Sequence, residues 1–381
     1  MAVRIKRRKN WFLSGIYVLV VTINVLSWNS KTFCDRIRQS IFRITQYIQG
    51  HISSLFPFSI GEFLLVPAVL LASATLALFV VLFVGRLRGR AGKNDRTGKF
   101  VGRYYHLLLW GVAVVSVIMS INCFVLYHCS SFPEMYIPKS GREYGVEELA
   151  LVRDHVVRQC NALAQEMERD GDGHIVYAGD MESRAVKEME KLGEAYPLLD
   201  GYYPEPKKLT FSGFFSQQYM MGYYFPFSME ANYNGAMYIV NVPATICHEL
   251  SHAKGFMCED DANFIGYLAC ISSDDAFFRY SGYLSVLDYL DRDLYESLGD
   301  SGEIYLTCEV CSPLVERDNV FLTREAWEEV EKGAILDTET LKQASRSFLD
   351  TNLQVNGVEE GIASYGDVVG MLLIYYDGEL Y

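Results

Sequence analysis

Acidic side chains are nearly missing from the first third of the chain. Residues 1–127 hold only Asp35, Glu62 and Asp95 against 16 Lys and Arg, a net of +13. The other 254 residues hold 44 acids against 18 basic side chains, a net of −26. Two stretches of such opposite sign belong in different environments. Histidine is also scarce, with seven in 381 residues, and no internal repeat is present. Low-complexity disorder is excluded, because half of the residues are apolar and their burial can offset the entropy of ordering. The whole-chain charge of −13 repels phosphate, so no nucleic-acid partner is expected.

Long uncharged apolar runs fill the basic third. Trp11 to Trp28 is 18 residues, Phe63 to Val84 is 22, and Tyr104 to Tyr127 is 24 with one His106. About 20 such residues in a helix cross a bilayer core, where every backbone polar group must be satisfied internally. Trp11, Trp28, Tyr104, Tyr105, Trp110 and Tyr127 stand at or near the run ends, where the membrane interface favours aromatics. Twelve Lys and Arg flank the runs on the N-terminal side of the first and between the second and third. Only four lie between the first and second. The positive-inside rule then predicts a multi-pass protein of the cytoplasmic membrane, its N-terminus cytoplasmic and its C-terminal part extracytoplasmic. No small-x-small cleavage site follows the first run, which reads as an uncleaved anchor.

Residues 1–127 are thus expected to be a membrane anchor, with helices at about 11–28, 63–84 and 104–127. Between the first two, residues 31–56 place Phe33, Ile37, Ile41, Ile44, Ile48 and Ile52 at helical spacing. That is an amphipathic outer helix for lipid or for the domain, with Arg36, Arg38 and Arg43 available to headgroups. Residues 128–144 read as a tether, and 145–381 as one domain. Helix-like stretches near 145–168 and 181–193 precede a Tyr/Phe-rich, strand-like stretch at 209–240, and helices dominate thereafter. Glu168, Asp170, Asp172, Gly173 and Ile175 match part of a calcium loop, but Gly179 replaces the closing bidentate Glu, so the segment reads as a solvated turn.

His248-Glu249-Leu250-Ser251-His252 is an HExxH. On a helix, residues four apart lie one turn and about 40° apart, so both imidazoles can meet one zinc ion. Glu249 then stands where it can take a proton from water activated by the metal. Asn241 is placed to cap this helix, Pro243 suits its first turn, Lys254 its last, and Gly255 ends it. Thr245, His248 and His252 share a face, while Ile246, Leu250 and Ala253 form an apolar one.

A catalytic zinc needs a third protein ligand and an open position. After Phe256-Met257-Cys258, a second helix beginning at Glu259-Asp260-Asp261 and folding back would bring its first turn near His252. Glu259 is the expected third ligand, with Asp260 and Asp261 as alternatives or as acids of the helix N-terminus. Asn263, one turn on, would hydrogen-bond to a ligand. Tyr365 and Tyr280 are candidates for stabilising an oxyanion. Tyr223 to Ile239 could supply an edge strand for an extended peptide, and Glu230 within it is either structural or reads a substrate amine.

The stretch VPATICHELSHAKGFMCEDDANFIGYLAC, with GYYFPFSMEANYN upstream and FRYSGYL and DTNLQVNGVEEGIASYGDVVGMLLIYY downstream, resembles a family of bacterial membrane proteins catalogued as domain of unknown function 3810. The resemblance covers most of 130–381 and implies an architecture, without an activity. A wider resemblance is to zinc peptidases of the HExxH-plus-Glu class. Glu259-Asp260-Asp261-Ala262-Asn263 fits their ExxAN pattern, which implies Glu259 as ligand and Asn263 behind the ligands. The seven-residue spacing from His252 to Glu259 is shorter than in those peptidases.

The fold expected is α+β: a mainly helical, zincin-like extracytoplasmic domain after three transmembrane helices. The function expected is zinc-dependent hydrolysis of peptide bonds in proteins, peptides or cell-wall stem peptides, with the lipid bilayer as the other partner. The alternatives are a non-catalytic sensor or scaffold, or a metal-dependent amidase acting on an envelope substrate.

Overall fold

The computed structural model describes residues 2–87, 95–137, 142–298, 307–356 and 367–381. Five helices build the basic third: α1 (Ala2–Asn29), α2 (Lys31–Ile37), α3 (Arg43–Ser53), α4 (Ile60–Leu87) and α5 (Asp95–Met119). Three apolar stretches, Trp11–Asn29, Ile60–Gly85 and Lys99–His128, are long and apolar enough to cross a membrane. They contain the three runs read from the sequence. The second has 26 residues, about 39 Å of helix against a hydrocarbon core of about 30 Å. From Phe63 onward its side chains are largely exposed on every side, and that surface has no favourable contact with water.

Helix α3 has two unlike faces. Phe42, Gln46, Gly50 and Ser53 form a buried stripe, and Gln46 donates to the carbonyl of Tyr202 in the domain. Ile41, Ile44, Ile48 and Ile52 form an exposed apolar stripe on the far side. Arg38 and Arg43 do not reach outward for headgroups. Arg38 bonds Asp35 and the Ser130 carbonyl, and Arg43 bonds the carbonyls of Pro197 and Asp200. Arg36 stays exposed.

Residues 132–136 of the expected tether form α6 (Phe132–Tyr136), whose first turn closes a capping box between Ser131 and Glu134. Phe132 is fully buried against the rings of Tyr196, Phe256 and Phe264. The domain continues through α7 (Val146–Ala164), α8 (Met181–Ala195), β1 (Lys207–Lys208), α9 (Ser212–Ser216), β2 (Gly222–Phe225) and β3 (Glu230–Tyr233). It ends with α10 (Val242–Ala253), α11 (Glu259–Ile271), α12 (Ala276–Leu298), α13 (Pro313–Asp318), α14 (Arg324–Lys332), α15 (Thr338–Val355) and α16 (Asp367–Tyr375). The domain is therefore mainly helical. Of the strand-like stretch at 209–240, only β2 and β3 are strands. With β1 they make a three-stranded sheet in the order β1-β3-β2, β1 parallel and β2 antiparallel to β3.

Helix α10 lies at the centre, packed on α8, α11, α12 and the sheet. Gly266 lets α11 come close. A Cβ there would stand 3.1 Å from the backbone nitrogen of His248, so any side chain would push the two helices apart. The large buried side chains Tyr267, Tyr280, Phe256, Phe264 and Phe278 fill the surrounding core, each worth about 1.5–3 kcal/mol of apolar burial. In the calcium-like segment, Asp170 Oδ1 accepts from the backbone N–H groups of Asp172 and His174, and Arg317 donates to the Gly173 carbonyl. These bonds make it a tied turn.

One carboxylate joins the membrane helices to the sheet. Glu230, fully buried at the end of β3, accepts from the N–H of Ile60 (2.9 Å) and of Gly61 (2.8 Å), the open N-terminus of α4. Lys207 Nζ and Ser228 Oγ donate to the same carboxylate, each at 2.5 Å. The sequence left open whether Glu230 was structural or read a substrate amine; its four donors make it structural. Glu62 returns the contact, accepting from the N–H groups of Thr210 and Phe211. Removing one member of a buried pair strands the other, so Glu230→Ala should destabilise the protein by about 3–5 kcal/mol. Lys207→Met together with Glu230→Met should lose less than the two single changes summed. Unfolding of the full chain in detergent micelles checks both expectations.

Candidate metal centre

The HExxH lies on α10. Pro243 is in its first turn, and the chain leaves the helix at Gly255 with φ +87°. Asn241 occupies the N-cap position but does not cap. Its side-chain amide donates to the Val320 carbonyl instead. Helix α11 begins at Glu259 and folds back along α10, which brings Glu259 to the two histidines. Among the described residues, His248, His252 and Glu259 are the cluster of metal-ligating side chains, with one atom of each within 4.8 Å of the others.

The distances describe a small triangle. His248 Nε2 lies 3.1 Å from His252 Nε2 and 3.1 Å from Glu259 Oε2, and His252 Nε2 lies 3.7 Å from Glu259 Oε1. A tetrahedral ion with bonds of about 2.0–2.1 Å sets its ligands about 3.3 Å apart. The outer nitrogens are held as well. His248 Nδ1 donates to Asn263 Oδ1 (2.8 Å), and His252 Nδ1 donates to the Phe256 carbonyl (2.7 Å). Both Nε2 atoms therefore point toward one place, beside a carboxylate. Such an arrangement could hold a cation at its centre.

Burial opposes charge on His248, but the hydrogen bond and charge of Glu259 outweigh it and lift its pKa to about 9. Burial lowers His252 to about 4. Burial also opposes the charge on Glu259, yet the two histidines hold its pKa down at about 2. Without a metal, the cluster keeps a proton on His248; a divalent ion would displace it.

Glu249 is buried, and burial raises its carboxyl to about 8. Its Oε2 has no hydrogen-bond partner among the described residues. Its Oε1 presses on Gly222 of β2, where a Cβ would stand 2.4 Å away. A larger residue at 222 would fit only if the Glu249 carboxylate moved.

Of the other expected residues, Asn263 is behind His248 as read. Asp261 Oδ2 accepts from the Phe132 N–H, and Asp260 is buried outside the cluster. Tyr280 is fully buried and donates to Asp318, which also pairs with Arg169, so its hydroxyl is engaged in the core. Tyr365 lies outside the described residues. Sequence reasoning missed Tyr289 of α12, whose hydroxyl is 3.5 Å from Asn263 Nδ2, and Gly222. Neither belongs to a ligand motif, and only the packing of α12 and β2 on α10 brings them in.

The family model described as "Protein of unknown function (DUF3810)" matches residues 38–373. The chain belongs to that family. The match takes in the outer segment of the anchor, two of the three membrane-length helices, the sheet and the histidine helix. No curated protein matches the chain, and no solved structure does. The Asn263 carbonyl fixes the ring of His248, and a metal held by that histidine would depend on it, since removing such an outer partner typically weakens a metal site 10–100-fold. Asn263→Ala should therefore bind divalent metal 10–100-fold more weakly, as read by competition with a chromophoric chelator.

Proposed function

We propose that the protein is a membrane-anchored zinc peptidase that hydrolyses peptide bonds outside the cytoplasmic membrane. The observation that carries this reading is the convergence of His248, His252 and Glu259 beside a buried carboxylate, Glu249, one oxygen of which is unpartnered. A structural metal site has no use for Glu249. The two nitrogens and one carboxylate suit zinc and leave a fourth position for substrate and water. Zinc held there would polarise the scissile carbonyl as a Lewis acid and lower the pKa of water to about 7.

The chain's own groups do the rest. A cation beside Glu249 would lower the carboxyl that burial raises. The ionised Glu249 takes the proton from the attacking water, and the carbonyl π electrons move onto the carbonyl oxygen. When they return, the C–N bond breaks, and Glu249 delivers the proton to the departing amine nitrogen. His248 and His252 stay fixed by Asn263 and the Phe256 carbonyl, so no reorganisation is needed during the reaction. Strand β2 is an edge of its sheet and touches Glu249 at Gly222, which suits it to pair with an extended substrate. The excess of Lys and Arg before the first run and between the second and third supports a cytoplasmic N-terminus and an extracytoplasmic domain.

Zinc should measure near one per chain in the detergent-solubilised protein. Glu249→Gln should keep that zinc while hydrolysis of a peptide library falls by about 10²–10⁴-fold. Retained hydrolysis would sink the mechanism. Gly222→Ala should also keep zinc but lose turnover, because its methyl group displaces the Glu249 carboxylate. Zinc bound with no peptide cut by the unmodified protein would leave the scaffold reading in its place.

A further inference from the structure

The proposed catalytic group stands very near the start of a membrane-length helix. Glu249 touches Gly222 at one end of β2, and Phe225 at the other end packs directly on Gly61, in the first turn of α4. Three residues of strand span about 10 Å. The membrane-length stretch of α4 begins at Ile60. The strand thus separates Gly222, beside the reacting centre, from the residue packed on the first turn of that helix by about 10 Å at most. The polar layer of one leaflet is itself about 5–8 Å thick.

Two further features hold the domain down. The exposed isoleucine stripe of α3 faces away from the domain, and the opposite stripe is fastened to it. A helix is about 10 Å across, so only one helix thickness separates this part of the domain from whatever covers the isoleucines. The second feature is a line of half-exposed rings. Phe58 meets Phe63 at 5.2 Å, and Phe63 meets Phe211 at 6.0 Å between centroids. Phe63 belongs to the outward-facing surface of α4, and Phe211 adjoins α9. Glu62 fixes the level of that segment by accepting from the backbone of Thr210 and Phe211. The apolar surface of the membrane-length helix thus runs without a break onto the domain, and the bilayer that covers one covers the other.

From this geometry we propose that the substrates are polypeptides themselves tethered in the membrane, cut close to the point where they leave it. The proposal rests on the peptidase reading above and adds its substrate class. An extended chain covers about 3.3–3.6 Å per residue, so a bond 10–15 Å from the lipid boundary is reached three to five residues from the anchor. A tethered chain emerging beside α4 meets the edge strand β2 within that length. A cleavage sequence carried far from its anchor meets the site no better than a soluble peptide does.

The test uses the zinc-loaded full chain in lipid nanodiscs and three versions of one peptide. The first has the cleavable sequence next to a transmembrane anchor. The second inserts a stiff proline-rich spacer of about fifteen residues between them, about 45 Å long, which holds the sequence out of reach. The third has no anchor. Expected is cleavage of the first within about five residues of the anchor, at least tenfold faster than either of the others, with cut sites read by mass spectrometry. Equal rates for the anchored and spaced peptides, or cuts at any distance, would overturn the membrane-proximal substrate while leaving the peptidase. Faster cutting of the soluble peptide would do the same. No cleavage of any of the three by the zinc-loaded protein would overturn the peptidase reading and this inference with it.

Discussion

Much of the structure hangs on a carboxylate that has nothing to do with chemistry. Glu230 takes the two open N–H groups at the start of α4, the ammonium of Lys207 and the hydroxyl of Ser228 into one buried knot. Through the first pair it holds a membrane-length helix; through Lys207 it ties β1 to β3. Strand β2 then follows by register, since Phe225 pairs with Glu230 and Gly222 with Tyr233. Gly222 in turn sets the floor beneath Glu249. A shift of β3 by one residue would turn the side chains of that strand to the other face and break this chain of contacts.

The opposite charges of the two halves look different once the contacts are known. The basic third does not simply sit beneath an acidic domain. Lys31 pairs with Glu134, Arg38 with Asp35 and the Ser130 carbonyl, and Arg43 with two carbonyls of the domain. In the other direction Glu62, one of only three acids in the first third, accepts from the domain's backbone. These contacts are local and directional, and they turn the outer segment into a collar between the membrane-length helices and the domain. Its polar side is spent on the domain, which leaves its isoleucines exposed.

How far all this could be read from the sequence follows from the range of the signals. The membrane-length helices were legible because lipid demands an unbroken run. The HExxH and Glu259 were legible because both depend on local helical spacing and a short link. The strand-like reading of 209–240 overstated the sheet, because its aromatics serve the apolar rim and α9 as well as strands. Asn241 had the right position for a cap, yet Val320, 79 residues away, competes for its side chain. The Arg38 and Arg43 contacts were out of reach for the same reason: their partners lie 92 to 157 residues along the chain. Gly222 carries no chemistry of its own, and a glycine between Met and Tyr gives no hint that a carboxylate needs its space.

Two buried glutamates, then, sit at opposite ends of one two-stranded hairpin and differ in a single respect. Glu230 has every oxygen supplied with donors, and such a group, once buried, makes geometry. Glu249 has a buried oxygen with none, which folding alone would select against, since desolvation is unfavourable and no bond offsets it. An apolar residue of similar size would be more stable there. A buried group that breaks the satisfaction rule in an otherwise consistent core marks the place where stability was given up for something else. Beside it His248, His252 and Glu259 converge, a second place where the core brings together groups that packing alone does not call for.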